Sequence, residues 1–287
     1  MRQSLSSSFK SSAFWQFCRS HPVSVLAGVV LVTLVLAALF APHLGTLDPR
    51  KINVLPRMRA PSAQAWFGSD QLGRDVYTRT LYGARISLVV GLMVAVLSVS
   101  SGLLIGMVSG YLRKLDAVIM RIMDGLMSIP GILLAIGLVS VSGASLATVT
   151  IAITIPEIPR VVRLVRSIVL SVREEPYVEA AIAVGTPLPL ILWRHVLPNC
   201  VPPLIVQATY VAASAMLTEA LLSFLGAGTP PEIPSWGNMM AEGRIVFPIA
   251  PWIVLIPGCT LALSILAVNL LGDGLRDRLD PKIAKRM

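Results

Sequence analysis

Five long stretches of this chain carry no formal charge, and they restrict its fold more than any motif does. Residues 20–47, 86–112, 125–156, 195–218 and 245–272 contain no Asp, Glu, Lys or Arg. A helix rising about 1.5 Å per residue needs roughly 20 apolar residues to cross the hydrocarbon of a bilayer, and every window is that long. A soluble helical core would require polar faces, and these windows have none. The chain is 55% hydrophobic and only 14% charged, against about 25% charged residues in soluble domains. The expected class is an all-α integral membrane protein.

Four windows place one helix each, near 22–42, 86–110, 200–224 and 249–272. The fifth, 125–156, is too long for one crossing. Ser142-Gly143-Ala144-Ser145 inside it reads as a tight turn. Splitting there predicts helices near 117–141 and 145–166, six spans in all, with Arg121 and Asp124 near one interface and Arg160, Arg163 and Arg166 marking the same side at the other end of the pair. With the N-terminus inside, the inner segments hold 16 basic residues and the outer ones 8. That bias places both termini in the cytoplasm. The basic outer loop 43–85 runs against it, and a five-span arrangement would put the loop around Glu179 on the opposite face. The apolar stretch Pro22–Ala41 exceeds the usual 7–15 residues of a signal-peptide core, so it reads as a retained first span.

The net charge of +9 does not indicate nucleic acid, because the basic residues gather at span ends as topology signals do. Cys18, Cys200 and Cys259 lack metal-ligand spacing and read as small hydrophobes. No lysine follows a glycine, so the phosphate-binding G-x-x-x-x-G-K-[ST] loop is missing. His21, His43 and His195 are scattered, and no G-x-S-x-G elbow occurs. A membrane hydrolase therefore lacks a nucleophile and base. No metal site and no cofactor of the chain's own are expected. A stand-alone secondary transporter would favour inverted repeats and several buried ionisable residues; no clear repeat is visible.

The polar island between the fourth and fifth windows is the most specific feature. Glu174 and Glu175 precede Pro176, a favourable start for a helix. Tyr177 to Val184 is helix-compatible, Gly185 permits a turn, and Pro187 prevents simple continuation. A second helix, Leu188 to Val196, is expected to lead to Pro198. Ala180, Ala181 and Ala183 keep one face smooth enough to enter a groove on another protein. An interfacial helix lying on lipid is the plainer reading of the same pattern.

Glu179-Ala180-Ala181, Gly185, and His195-Val196-Leu197-Pro198 at these distances resemble the "EAA" loop of bacterial ABC importer permeases. Where the wider family has Ile, this chain has His195; His195 to Asn199 is similar to the peptide and nickel branch, where a structural hydrogen bond is its expected role. Trp66-Phe67-Gly68-Ser69-Asp70, Gly73-Arg74-Asp75, Gly83-Ala84-Arg85, Leu222 to Gly226, Pro234-Ser235-Trp236-Gly237 and Asn269 to Asp273 resemble the dipeptide and oligopeptide permeases, the "C" type in particular.

The resemblance implies the six-helix type I importer permease fold and a place in the bacterial inner membrane. It divides the chain into 1–85 (tail, first span and periplasmic loop), a five-helix core 86–275 with a coupling loop 173–199, and a tail 276–287. It implies a sister permease as heterodimer partner, two ATPase subunits that hold ATP and Mg, and a periplasmic binding protein. It assigns ATPase coupling to Glu179, Ala180, Ala181, Gly185, His195, Leu197 and Pro198, and binding-protein docking to Trp66, Asp70, Arg74, Asp75 and Trp236. Peptides are the implied cargo, with nickel chelates or other small solutes as the alternative.

The outer loop 43–85 is expected to form a small ordered cap with a short helix entering span two. The loop 226–248, with Pro230, Pro231, Pro234 and Pro248, should exclude a regular helix. Glu219 follows 24 uncharged residues and, with Ser223, is a candidate for the path or gate, or else makes an internal hydrogen bond. Glu157 is expected to pair with Arg160 or Arg163. Gly102, Gly106 and Gly110 line one helix face, more suited to close packing within this chain than to a partner permease.

Overall fold

The computed structural model describes residues 22–52 and 57–279. Residues 1–21, with Cys18 and His21, residues 53–56, and 280–287 lie outside the described residues, and so do the readings that fall on them. The described chain is helical: α1 (Pro22–Leu39), α2 (Val76–Tyr111), α3 (Arg113–Ser128), α4 (Gly131–Ser142), α5 (Leu146–Val172), α6 (Pro176–Ala183), α7 (Leu188–Ile191), α8 (Leu197–Phe224), α9 (Trp236–Gly243) and α10 (Trp252–Leu279).

Local chemistry sets the boundaries. Asp75 caps α2 by accepting from the Thr78 N–H at 2.8 Å. Ser145 does the same for α5, accepting from Thr148 N–H at 3.0 Å. Gly143 ends α4 at φ +82°, so the turn read at Ser142–Ser145 separates two helices as expected.

Four helices are long and apolar enough to cross a bilayer: α1, α2, α8 with the short pieces leading into it, and α10. The pair α3–α4 makes a fifth if its two arms count as one span, since they meet at 87°. This corrects the continuous helix expected near 117–141. Pro130 cannot continue α3, and the residue before a proline is pushed out of the helical region; Ile129 sits at φ −94°, ψ 127°. Two further expectations change. The helix predicted from residue 86 begins at Val76, so the helical lead-in expected before span two is continuous with the span. The loop 226–248 contains a regular helix, α9, because its prolines precede Ser235 or follow Val246, and Ser235 caps the helix from Asn238 N–H at 3.1 Å.

The centre of the bundle is α2 packed along α5. Gly102, Gly106 and Gly110 of α2 face Val161, Val165 and Val169 of α5; a Cβ at Gly106 would stand 2.7 Å from Val165 Cβ and 2.9 Å from Val162 O. The glycines thus serve packing inside the chain, as their spacing implied. The three valines are fully buried in a core shared with α8. Outward faces are apolar and exposed, with Leu92 and Leu104 each 62% exposed and Leu133 59%. That is the inverse of a soluble surface and suits lipid or partner helices.

Arginines stitch α5 to α3. Arg166 grips Asp116 through both carboxylate oxygens at 2.5 and 2.6 Å, and Arg163 reaches Asp124 at 2.5 Å. Charges beside apolar spans are tolerated when paired in this way.

Candidate functional site

The loop between α5 and α8 begins with Glu175 and Pro176 at the head of α6. It turns after Val184 with two reciprocal bonds: Gly185 N–H donates to Ile182 O at 2.9 Å and Thr186 N–H to Ala181 O at 3.0 Å. This is a Schellman closure, which requires a left-handed residue after the cap. Gly185 supplies it at φ +78°. The expected second helix, Leu188 to Val196, is corrected: α7 covers Leu188–Ile191, a π turn covers Leu192–Val196, and the chain runs on into α8. Leu197 and Pro198 therefore lie in the first turn of the spanning helix, where a proline sacrifices no internal hydrogen bond.

The loop is rooted from below and open on its outer side. Val178, Ile191 and Val196 are buried in the main core, next to Val169 and Val172 of α5. Arg173 ties the base to Gly110 O at 3.3 Å. The His195 ring packs on Tyr177 with centroids 5.8 Å apart, and Asn199 donates to Tyr177 Oη at 3.2 Å and to His195 O at 2.6 Å. The two rings are tilted 49° to each other. Outside, Glu179, Ala180 and Gly185 are exposed and Ala181 is half-buried; Val184 is 81% and Trp193 72% exposed. The arrangement is a stiff elbow with a small-sided, apolar outer face and one charge on its rim.

On the opposite end, the outer cap spends most of its expected docking residues internally. Asp70, 2% exposed, takes Arg74 at 2.6 Å and Arg79 at 2.7 Å, and both arginines also reach Glu242 at the end of α9. Asp75 is the cap of α2. Trp236 is fully buried and donates its indole N–H to Thr80 O at 3.0 Å. Asp70 and Trp236 are buried and Arg74 and Asp75 half-buried, so these side chains help build the cap. Trp66 differs: it is 63% exposed and stacked edge-on against Tyr77. Sequence reading missed Arg79 and Glu242. An arginine four residues after Asp75 at the approach to an apolar span was the available signal, since such a charge must find a partner.

Glu219 and Ser223 are buried together. Ser223 Oγ donates to Glu219 Oε1 at 2.9 Å, and Ser87 Oγ lies 3.4 Å from Oε2. The pair bonds internally between α8 and α2, which is the plainer of the two expected roles. Glu157 bonds to Arg160, as its spacing predicted. Among the described residues, no three His, Cys, Asp or Glu side chains converge as a metal site.

Residues 102–285 match the family described as binding-protein-dependent transport system inner membrane component. The chain is 54% identical over 271 residues to a probable peptide ABC transporter permease protein of Sinorhizobium fredii, covering 94% of this chain and 93% of the relative. It is 42% identical over 266 residues to the dipeptide transport system permease protein DppC of Alkalihalophilus pseudofirmus, covering 92% and 88%. It is 40% identical over 273 residues to the glutathione transport system permease protein GsiD of Pectobacterium atrosepticum, covering 94% and 90%. A chain of the inward-facing MetNI methionine ABC transporter shares the fold with a TM-score of 0.58 at 18% identity, over 70% of this chain and 96% of that one. The elbow between α5 and α8, the all-helical bundle and these relationships agree, and the chain belongs to the binding-protein-dependent transport system inner membrane components, the permease subunits of ABC importers.

Proposed function

We propose that this chain is one of two permeases in an ATP-driven importer of di- or oligopeptides in a bacterial inner membrane. In this reading α5 is the sixth crossing: its 27 residues span about 40 Å, enough to traverse the hydrocarbon. Both termini then face the cytoplasm, together with the elbow. A sister permease completes the path, two ATPase subunits hold ATP and Mg, and a periplasmic binding protein delivers cargo to the cap around Trp66.

The observation that carries the reading is the elbow itself. Its outer face is apolar and free, while its inner residues Val178, Ile191 and Val196 are buried in the same core as α5 and α8. A displacement applied outside must move both helices, because close-packed interiors transmit strain and do not absorb it. ATP binding biases the ATPase pair toward one arrangement, and the elbow converts that bias into a preference between outward and inward access. Glu179, Ala180, Ala181 and Gly185 supply the contact surface; His195, Leu197 and Pro198 join it to α8.

Purification from membranes in mild detergent tests the assembly. The expected result is co-purification of a second permease and two ATPases, with hydrolysis stimulated by loaded binding protein. Peptide transport by this chain alone in liposomes would overturn it. The 40% identity to a glutathione permease keeps other small solutes, nickel chelates included, as the second reading of the cargo.

A further inference from the structure

We propose that the cavity between α3, α4, α5 and α8 is a transit site for the charged ends of a short peptide, with Glu157 meeting its ammonium group and Arg160 its carboxylate. The inference rests on the peptide-importer reading and adds a site to it. The cavity has a volume of about 370 Å³ and lies at the break between α3 and α4, within the range of small-molecule sites. Glu157, Arg160, Ser214 and Thr218 supply its polar lining, and Pro130 and Gly131 form the bend above it.

The ion pair inside is loose. Arg160 Nη1 lies 3.2 and 3.3 Å from the two Glu157 oxygens, and Ser214 Oγ lies 3.2 Å from Oε1. These distances are long beside the 2.5–2.6 Å contacts that Arg166 makes with Asp116. The Glu157 side chain is 9% exposed whereas that of Arg160 is 58% exposed, so one charge is held in the wall and the other stands at the mouth. A buried charge that loses its partner is strongly unfavourable. A zwitterion avoids that penalty by exchange: its ammonium replaces Arg160 beside Glu157, and its carboxylate replaces Glu157 beside Arg160. A lone anion would be repelled by Glu157, and a lone cation by Arg160.

The bend lies at the Glu157 end of the cavity and favours that carboxylate. The first turn of α4 begins at Pro130 without a side-chain cap, so its free N–H groups and positive dipole end favour negative charge. Gly131 brings that turn against Pro156, the neighbour of Glu157, where a Cβ would stand only 3.2 Å from Pro156 Cβ. Glu219 offers no comparable site, since its two oxygens face serine hydroxyls in a closed interior.

The test uses the assembled importer in nanodiscs, with weak binding of trialanine, N-acetyl-trialanine and trialanine amide measured by saturation-transfer NMR. Glu157→Gln should weaken trialanine about tenfold or more and leave the N-acetyl form unchanged, because the lost partner is the ammonium. Arg160→Gln should weaken trialanine similarly and leave the amide unchanged; lying at an exposed side chain, it carries the test alone if the Glu157 variant does not assemble. Equal loss of all three peptides, or no loss of any, overturns the site and shows the pair to be structural. Failure of the wild-type importer to move any peptide from a loaded binding protein would instead overturn the cargo reading.

Discussion

Replacing Gly185 separates the shape of the elbow from its charge. The residue sits at φ +78°, and a Cβ added there would have nothing within 4 Å, so a side chain meets backbone strain and no clash. For an ordinary L-residue the left-handed conformation costs roughly 1–2 kcal/mol, and more for a β-branched one. Asn and Asp tolerate it best. If the ATPase subunit engages only the closed turn, strain of that size lowers the competent fraction and raises the apparent dissociation constant by up to about 5–30-fold. The expected order of ATPase binding is therefore Gly, then Asn with a small loss, then Val with the full strain penalty. Gly185→Asp has the backbone tolerance of Asn but adds a charge to an apolar face, and should fall well below Asn. All four proteins should reach the membrane in similar amount, since the strained turn lies outside the core. The assay is titration of purified ATPase onto the detergent-solubilised permease pair, with stimulated hydrolysis measured in parallel. Val binding as tightly as Gly would refute the need for the turn, and Asp matching Asn would refute contact at this face.

Other expectations follow from packing and charge. Gly106→Ala should shorten the half-life of the solubilised protein at fixed temperature, because overpacking against Val165 and Val162 O costs about 1–3 kcal/mol; adding Val165→Ala should recover part of the loss, which a double-mutant cycle measures. Arg79→Met should be more damaging, by about 3–5 kcal/mol, since it leaves the buried Asp70 and Glu242 to share Arg74 alone; thermal unfolding in detergent checks it, with the half-buried Glu242→Gln expected to be milder. Exchanging Asp116 and Arg166 for one another should restore most of the stability that Asp116→Asn removes, measured by the same assay. Trp66→Ala should weaken stimulation of hydrolysis by loaded binding protein while leaving unstimulated hydrolysis unchanged.

Much of this was legible in the residues. The charge-free windows located the long helices, since only an internally bonded helix can carry so much apolar backbone through lipid. Gly185 and Pro187 located the elbow because their backbone preferences are local. The bend at Pro130 was less visible: proline announces a break, but whether the arms form one kinked span or two depends on what packs against them. The docking residues show the same limit. Asp70, Arg74, Asp75 and Trp236 look like surface recognition groups in a loop, but Asp70 and Arg74 join Arg79 and Glu242, far apart in sequence, Asp75 caps α2, and Trp236 donates to Thr80 O.

The chain's own order of residues thus determined its medium, its helical segments and the place where a turn must fall, all properties set by local hydrophobicity and backbone freedom. Tertiary structure alone decided that Asp70 and Arg74 meet Arg79 and Glu242, that Glu219 is sealed among hydroxyls while Glu157 borders open space, and that the helix the three glycines pack against is α5. Those outcomes depend on distances between segments remote in sequence, which close packing of the whole bundle sets and no single segment encodes.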